Sequence, residues 1–235
     1  MPVNLDTAIL VELNSIAVSS PDLSEFQLFL SENNLIKGGL FMVAIWWLWF
    51  RQDKAQDQNH NHNRLVVIGI LVGCLVGTFA TRVLTHLLPF RPRPIYAADL
   101  HLSPFLWQPV GLDHMTSLPS DHATLYFALA TGFFFISRRF GFIALLYALL
   151  MICFPRLFLG YHYPTDLIAG GIIGTIAACV ANLPFVRQLF YQPIINWQQR
   201  HPSSFYSAMF LMTYQINSLF SGIRALLTYL IGSGA

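Results

Sequence analysis

Six apolar segments, separated by short polar connections, constrain what this 235-residue chain can fold into. They cover residues 34–50, 65–88, 122–137, 140–159, 164–186 and 205–231. A helix that crosses a bilayer needs roughly 20 mostly apolar residues, within a range of about 17–25. The pattern therefore predicts an all-α integral membrane protein with six transmembrane helices. The helical core would span 34–231, and the whole chain, 1–235, would form a single domain.

The composition supports this class and argues against others. Hydrophobic residues make up 55% of the chain and charged residues 10%, whereas soluble domains carry about 25% charged residues. The formal net charge of +2 is too small to indicate a nucleic-acid partner. The partner that the composition predicts is the lipid bilayer.

Residues 1–33 precede the first apolar segment and are expected to form an N-terminal amphipathic arm. Residues 4–30 are compatible with an amphipathic helix that lies in the membrane interface, and a simple N-terminal arm is the alternative. The opening stretch lacks a basic region and carries Asp6 and Glu12. It therefore does not have the pattern of a cleavable signal peptide.

Lysine and arginine residues are distributed unequally between the two sides of the predicted bundle. The loops after the first, third and fifth segments carry most of them, namely Arg51, Lys54, Arg64, Arg138, Arg139, Arg187 and Arg200. Loops of this kind normally face the cytoplasm. Both termini, the 89–121 loop and the turn near 160–163 would then lie outside, together with Arg91, Arg93 and Arg156. Arginines on the outer side are unexpected when most cations face the cytoplasm. They therefore indicate a function at the outer face of the cytoplasmic membrane.

Three polar stretches come together on this outer side. The first is HLLPFRPRP at 86–94, in which two Arg-Pro pairs prevent the preceding helix from continuing. The planar guanidiniums of Arg91 and Arg93 are suited to phosphate oxygens. Lipid headgroups and loop carbonyls are the alternative partners.

The second stretch is SLPSDHATL at 117–125. Ser120 is a candidate N-cap, and the free N–H groups of the turn that follows are suited to an anion. His122 would lie in that turn; an interfacial histidine beside a capping serine is the alternative interpretation. Asp121 would repel phosphate, so its carboxylate is expected to turn away, toward Arg91.

The third stretch is PRLFLGYHYPTD at 155–166. Pro164 fits the first position of a helix, and Asp166 fits its first turn. His162 lies just before that helix, where a carboxylate bonded to one ring nitrogen would leave the other nitrogen free to attack. Arg156 ends the preceding helix, although an ionisable residue at a helix edge is often a snorkelling anchor.

Together these stretches hold the groups that phosphoryl transfer requires. Cations and N–H donors stabilise the equatorial oxygens of the transferred group. One histidine can attack phosphorus while the other protonates the departing oxygen. No carboxylate cluster indicates a metal ion, and the arginines would supply positive charge in its place.

The three stretches resemble, in order, the three motifs of the type 2 phosphatidic acid phosphatase superfamily. Those motifs are Lys-x6-Arg-Pro, Pro-Ser-Gly-His and Ser-Arg-x5-His-x3-Asp. The corresponding residues of this chain are His86-x6-Arg93-Pro94, Pro119-Ser120-Asp121-His122 and Pro155-Arg156-x5-His162-x3-Asp166. The resemblance covers roughly 86–170, and PSDHAT and YHYPTDLIAG look most like the bacterial undecaprenyl-diphosphate phosphatases of the bacitracin-resistance type.

The resemblance implies a role for each matching residue. His162 would become a phosphohistidine, Asp166 would orient it, and His122 would act first as the acid for the leaving group and then as the base for water. No metal or other cofactor would be needed. The residues expected to hold phosphate oxygens are Arg93, Ser120 and Arg156.

Three positions depart from the family motifs. His86 stands where the family has lysine, and Arg82 or Arg91 could supply the missing cation at the phosphate site. Asp121 stands where the family usually has glycine. By resemblance, an aspartate at this position occurs in the diphosphate-phosphatase branch of the family. Pro155 stands where the family has serine, which removes supporting contacts only. His86 and Asp121 are therefore retained among the expected phosphate-site residues.

The sequence thus predicts a membrane-bound hydrolase that converts a polyprenyl diphosphate, such as undecaprenyl diphosphate, to the monophosphate. This reaction would recycle the carrier lipid for cell-envelope glycans. Hydrolysis of phosphatidic acid or phosphatidylglycerophosphate and transfer of the phosphoryl group to another lipid are the enzymatic alternatives. A non-catalytic protein that binds or transports lipid phosphates is the alternative from another class. The oligomeric state and the role of Arg224 in the last segment stay open.

Overall fold

The computed structural model describes residues 5–51, 57–100, 102 and 113–232. Its helices are α1 (Leu5–Ser19), α2 (Pro21–Glu32), α3 (Leu35–Phe50), α4 (Asp57–Leu87), α5 (Asp121–Phe134), α6 (Arg138–Phe158), α7 (Pro164–Ala181), α8 (184–200), α9 (Pro202–Asn217) and α10 (Ser221–Gly232). Within the described ranges no strand is present, and the expected all-α class is confirmed. Residues 1–4 of the arm, Lys54 and part of the 89–121 loop lie outside the described residues.

Three of the described helices are long and apolar enough to cross a membrane: His62–Leu87 within α4, Arg138–Phe158 and Pro164–Ala181. Helices α2 and α3 meet the same criterion together, but they are bent by 57° at their junction. Length and composition thus support three spans, or four if the bent pair forms one span. The expected six spans are not confirmed.

The expected span at 122–137 corresponds to α5, which has 14 residues and ends at Phe134. At about 1.5 Å per residue this helix is ~21 Å long, shorter than the ~30 Å hydrocarbon core of a bilayer. α5 packs between α4, α6 and α7. It is therefore a helix of the bundle interior.

The expectation of one continuous helix at 205–231 is wrong. Leu219 and Phe220 adopt positive φ values of 53° and 58°, a conformation that an L-residue cannot carry through a right-handed helix. The segment is therefore divided into α9 and α10. A single helix over 4–30 is also wrong, because α1 ends at Ser19 and Pro21 begins α2.

Helix α7 contacts α4 and α5 through a face of small residues: Gly170, Gly171, Gly174, Ala177, Ala178 and Ala181. A Cβ atom on Gly174 would collide with the carbonyl oxygen of Thr124, and one on Gly170 with that of Ser120. The backbones of α5 and α7 can approach only because these positions lack a side chain. This close packing brings the first turns of the two helices together.

The opposite face of α7 is apolar and exposed, with Ile168, Ile172, Ile176 and Val180 each more than half exposed. These residues recur every four positions and so form one stripe along the helix. In a membrane this stripe would face lipid.

The bundle has two chemically different ends. Arg64, near the start of α4, donates to Gln198 of α8 at one end, and α4 then runs to Arg82 and His86 at the other. The arginines that were expected to face the cytoplasm lie at the first end or directly follow helices that finish there: Arg51, Arg64, Arg138, Arg139, Arg187 and Arg200. The starts of α5 and α7 lie at the second end.

Candidate active site

The turn between α6 and α7 sets the position of His162. After α6 ends, Gly160 takes a left-handed φ of 68°, and the N–H of Tyr161 donates back to the carbonyl oxygen of Arg156 at 2.9 Å. This is the hydrogen-bond pattern of a Schellman motif, which glycine favours because it has no Cβ. The motif reverses the chain and leaves His162 just before the first turn of α7.

Both ring nitrogens of His162 have close neighbours. Nδ1 lies 2.9 Å from the carbonyl oxygen of Ser117, and because a carbonyl can only accept, Nδ1 carries the proton in this contact. Nε2 then presents its lone pair and lies 3.4 Å from Nη1 of Arg93. Burial lowers the pKa of His162 below its ordinary value and so favours the neutral ring. A neutral imidazole with a lone pair on Nε2 is suited to nucleophilic attack.

Asp166 lies fully buried in the first turn of α7. Its Oδ1 accepts from Nη1 of Arg91 at 2.7 Å, and its Oδ2 accepts from the backbone N–H of Tyr163 at 2.8 Å. The same Oδ2 lies 3.7 Å from Nδ1 of His162, which is beyond hydrogen-bond distance. The direct partner of the histidine is thus the Ser117 carbonyl, and Asp166 acts on the ring through its charge.

Arg93 is held in extended backbone before Pro94. Its Nη1 donates to the carbonyl oxygen of Tyr161 at 3.0 Å and faces His162. Burial lowers the pKa of the Arg93 guanidinium, although the carboxylates of Asp121 and Asp166 act in the opposite direction. Within the described part of the chain its Nε has no hydrogen-bond partner.

Arg156 is 3% exposed and is held by two backbone carbonyls. Nη1 donates to Ile152 and Nη2 to Ser31, each at 3.0 Å. None of the ion pairs formed by the described residues includes Arg93 or Arg156. A buried charge without a counter-charge is costly, so these two guanidiniums form a site suited to an anion.

A cavity of about 800 Å³ opens beside these side chains. His122 and His162 both line it, together with Arg93 and Arg156. Further cationic or ionisable side chains line the same cavity: Lys37, Arg82, His86 and Arg224. The two histidines and five of the expected phosphate-site residues (Arg82, His86, Arg93, Asp121 and Arg156) therefore share one space.

Ser120 does not line this cavity. It is fully buried, and its Oγ caps α5 by accepting from the N–H of Ala123 at 3.4 Å. Its own N–H donates to the carbonyl oxygen of Asp166 at 3.1 Å. The expected N-cap is confirmed by this geometry, while a phosphate contact of the Ser120 side chain stays a prediction.

The expectation that Asp121 turns toward Arg91 is wrong. Asp121 lines the cavity and pairs with Arg82, because the last turns of α4 pass beside the start of α5. Arg91 instead pairs with Asp166 and Asp6 and does not line the cavity. Of the two arginines considered as replacements for the missing lysine, only Arg82 lies on the cavity wall.

Two cavity-lining cations were not assigned by the sequence analysis. Lys37 lies in the π-helical turn Leu35–Gly39 that begins α3, and π-helical turns are frequent at functional sites. A lysine inside an apolar segment is itself a functional signal, and Lys37 lies outside the three motifs. Arg224, whose role was open, reaches the cavity from α10.

No three side chains among His, Cys, Asp and Glu are grouped so that they could hold a metal ion, within the residues that the structure describes.

A protein-family model and several known proteins are similar in sequence to this chain. The model of the PAP2 superfamily matches residues 67–188, a range that contains all three polar stretches. Undecaprenyl-diphosphatase BcrC of Bacillus subtilis (strain 168) is 28% identical over 189 residues, which cover 77% of this chain and 89% of BcrC. YbjG of Escherichia coli (strain K12), provisionally named an undecaprenyl-diphosphatase, is 25% identical over 202 residues, which cover 83% of this chain and 90% of YbjG.

The crystal structure of Aquifex aeolicus LpxE has a similar fold, with a TM-score of 0.56 and 23% sequence identity. The match covers 77% of this chain and 96% of that structure. The chain therefore belongs to the PAP2 superfamily, as its motifs predicted, and the expected class, a lipid phosphatase, agrees with this membership.

Proposed function

We propose that this lipid phosphatase hydrolyses a polyprenyl diphosphate, with undecaprenyl diphosphate as the first candidate, to the monophosphate and inorganic phosphate. One observation carries the proposal. The buried guanidiniums of Arg93 and Arg156 form no ion pair with any carboxylate among the described residues, and they line the same cavity as His122 and His162. A phosphate group in this cavity would compensate their charge. The choice of a polyprenyl diphosphate as substrate is taken from the name of the relative BcrC, an undecaprenyl-diphosphatase.

The first chemical step forms a phosphohistidine. The Nε2 lone pair of His162 attacks the terminal phosphorus, while Arg93 and Arg156 stabilise the charge on its equatorial oxygens. The bond from phosphorus to the bridging oxygen breaks, and His122 donates a proton to that oxygen. The lipid monophosphate leaves, and the phosphorylated ring of His162 remains beside the charge of Asp166.

The second step returns the enzyme to its starting state. His122, now unprotonated, takes a proton from a water molecule that attacks the phosphohistidine. The bond from phosphorus to Nε2 of His162 breaks, and inorganic phosphate is released. Both histidines recover their original protonation, so the reaction balances without a metal ion or another cofactor.

A diphosphate carries a second phosphate group, and the cavity offers further cations for it. Lys37 approaches from α3 and Arg224 from α10, whereas Arg82 is paired with Asp121. No described ion pair includes Lys37. These cations support a diphosphate over a monophosphate as the preferred substrate, with Lys37 in place of the lysine that the first motif lacks.

The membrane position follows from the charges at the two ends of the bundle. The cationic end with Arg138 and Arg139 would face the cytoplasm, which orients the cavity toward the outer face of the cytoplasmic membrane. The substrate would enter sideways and keep its polyprenyl chain in the bilayer. At that face the reaction would regenerate the carrier lipid for cell-envelope glycans.

Phosphate release from the detergent-purified protein in the presence of EDTA tests the proposal. Undecaprenyl diphosphate is compared with undecaprenyl phosphate, phosphatidic acid and phosphatidylglycerophosphate. We expect the diphosphate to be preferred and turnover to be lost in His162→Ala. The matched control is His201→Ala, which removes an exposed histidine before α9 and should leave turnover unchanged.

Each other outcome is informative. Preference for a glycerolipid would keep the mechanism and overturn the polyprenyl substrate, and label passing from donor lipid to an acceptor lipid would indicate a phosphotransferase. Substrate labelled in the terminal phosphate should leave acid-labile, base-stable label on the protein, and His162→Ala should abolish it. A protein that binds the diphosphate but never acquires label would be a binder or transporter.

A further inference from the structure

An aspartate of the N-terminal helix α1 is part of a buried polar network behind the cavity. Asp6 is 4% exposed and lies in the first turn of α1. Its Oδ1 accepts from the backbone N–H of Thr165 at 3.2 Å, and its Oδ2 accepts from the Thr165 hydroxyl at 2.5 Å. Nη2 of Arg91 donates to the same Oδ2 at 3.0 Å. The carboxylate is thus bound to the first turn of α7 and to a guanidinium at once.

Arg91 connects this carboxylate to Asp166. Its Nη1 donates to Asp166 at 2.7 Å and to the Thr165 hydroxyl at 2.9 Å. Its guanidinium also lies 3.8 Å from the ring centroid of Tyr163. Arg91 is therefore fixed between two buried carboxylates, one from α1 and one from α7.

Successive contacts connect Asp6 to His162. Asp6 holds Arg91, Arg91 holds Oδ1 of Asp166, and Oδ2 of Asp166 lies 3.7 Å from Nδ1 of His162. An arginine side chain has several rotatable bonds and is ordered only where its donors are bound. Without Asp6, one of the two terminal nitrogens of Arg91 would lose its anionic partner, and Asp166 would be held less firmly.

The packing of α1 supports this connection. Ala17 of α1 forms a buried cluster with Phe158, Leu159 and Tyr161, the residues around the end of α6 and the turn before His162. Helix α2 adds the Ser31 carbonyl that accepts from Arg156. The two N-terminal helices therefore contact the end of α6 and the turn that carries the histidine.

We propose that Asp6 is a positioning residue, through which helix α1 fixes Arg91 and hence the orientation of the Asp166 carboxylate beside His162. Asp6 does not line the cavity, so it would act on the rate of phosphoryl transfer and not on substrate binding. This inference rests on the proposed function for its kinetic readout. It gives the N-terminal helix a part in catalysis that the three motifs do not contain.

The test compares Asp6→Ala and Asp6→Asn with Asp22→Ala. Asp22 is the matched control, because it is an exposed aspartate in the first turn of the neighbouring helix α2. Asp6→Asn keeps an acceptor for the Thr165 N–H but loses the charge that pairs with Arg91. We expect both Asp6 variants to lower kcat about 10- to 100-fold, by analogy with the loss of hydrogen-bond partners that orient metal-binding histidines, with KM unchanged and Asp22→Ala like the wild type.

A second readout does not need turnover. In protein labelled with 15N-histidine, the resonances of His162, assigned by their loss in His162→Ala, should shift in both Asp6 variants and stay in place in Asp22→Ala. Unchanged kcat and unchanged His162 resonances would overturn the proposal. A loss of activity that appears in KM, or only in step with a loss of folded protein, would also overturn it and make Asp6 a structural residue. If the wild type hydrolyses no lipid phosphate, the proposed function fails, and the resonances alone decide the role of Asp6.

Discussion

The Nδ1 atom of His162 lies 2.9 Å from the carbonyl oxygen of Ser117, and the Asp166 carboxylate is farther away, at 3.7 Å. The carbonyl can fix the tautomer of the neutral ring without help from the carboxylate. The ring gains positive charge when it is phosphorylated, and a buried negative charge at 3.7 Å stabilises that form. The tautomer and the charge of the nucleophile are therefore controlled by different residues.

This division predicts a moderate effect of Asp166→Asn. Where a carboxylate alone fixes the histidine tautomer, the corresponding substitution lowers kcat about 10⁴-fold. Because the Ser117 carbonyl retains the tautomer here, we expect Asp166→Asn to lower kcat by about 100-fold, while His162→Ala abolishes turnover. Steady-state phosphate release measures both. A loss in Asp166→Asn as complete as in His162→Ala would show that the carbonyl does not hold the ring.

Lys37 is expected to discriminate between diphosphate and monophosphate lipids. A hydrogen bond to a charged group contributes about 1.5–3 kcal/mol, so we expect Lys37→Met to raise KM for the diphosphate at least tenfold. KM for a monophosphate substrate should change about twofold or less, since that substrate has no second phosphate. Competition between the two lipids in one assay measures the ratio directly.

The control for Lys37 is Arg51→Met, which removes a cation at the opposite end of α3. This variant should behave like the wild type with both lipids. Equal increases in KM for diphosphate and monophosphate in Lys37→Met would place the lysine at the transferred phosphate and remove its role in discrimination.

The parts of the site that the sequence predicts are those specified by short-range signals. Ser120 caps α5 and Pro164 begins α7, each through contacts with residues a few positions away. Short-range spacing also places Asp166 one turn from His162. Local chemistry of this kind can be read from the chain before the fold is known.

The parts that the sequence does not predict depend on contacts between distant segments. Asp6 and Thr165 are 159 positions apart, and nothing near Asp6 indicates its partner. Lys37 reaches the cavity only because α3 packs beside α9 and α6. The break at Leu219 and Phe220 has no proline or glycine at either residue, so the mostly apolar pattern of 205–231 did not indicate its position.

The pH dependence of phosphohistidine formation follows from the burial of His162. Burial holds its pKa below the ordinary value of 6.5, and the neutral ring is the nucleophile. Formation should therefore persist as the pH falls through 6.5 and decline only at lower pH. The Asp166 carboxylate acts in the opposite direction and raises the pKa of His162. The acid limb should thus move to still lower pH in Asp166→Asn.

Rapid-quench measurement of labelled enzyme in a single turnover checks this shift. The same substrate is used for the wild type and for Asp166→Asn, so titration of the substrate phosphate cancels in the comparison. An acid limb that stays in place, or moves to higher pH, would mean that the titrating group is not His162.

The contact between α5 and α7 predicts a stability effect at Gly174. A Cβ atom there would collide with the carbonyl oxygen of Thr124, and the backbone of α5 cannot move aside as a flexible side chain could. Overpacking of this kind costs about 1–3 kcal/mol, so Gly174→Ala should lower the midpoint of thermal unfolding in detergent by several degrees. Gly222→Ala is the matched control, because a Cβ atom on Gly222 meets the Gln215 side chain at 3.7 Å, an ordinary van der Waals distance. The control should unfold at the wild-type temperature or above it, since alanine favours helix over glycine. Equal midpoints for Gly174→Ala and the wild type would contradict the close backbone packing that brings Ser120 and Asp166 together.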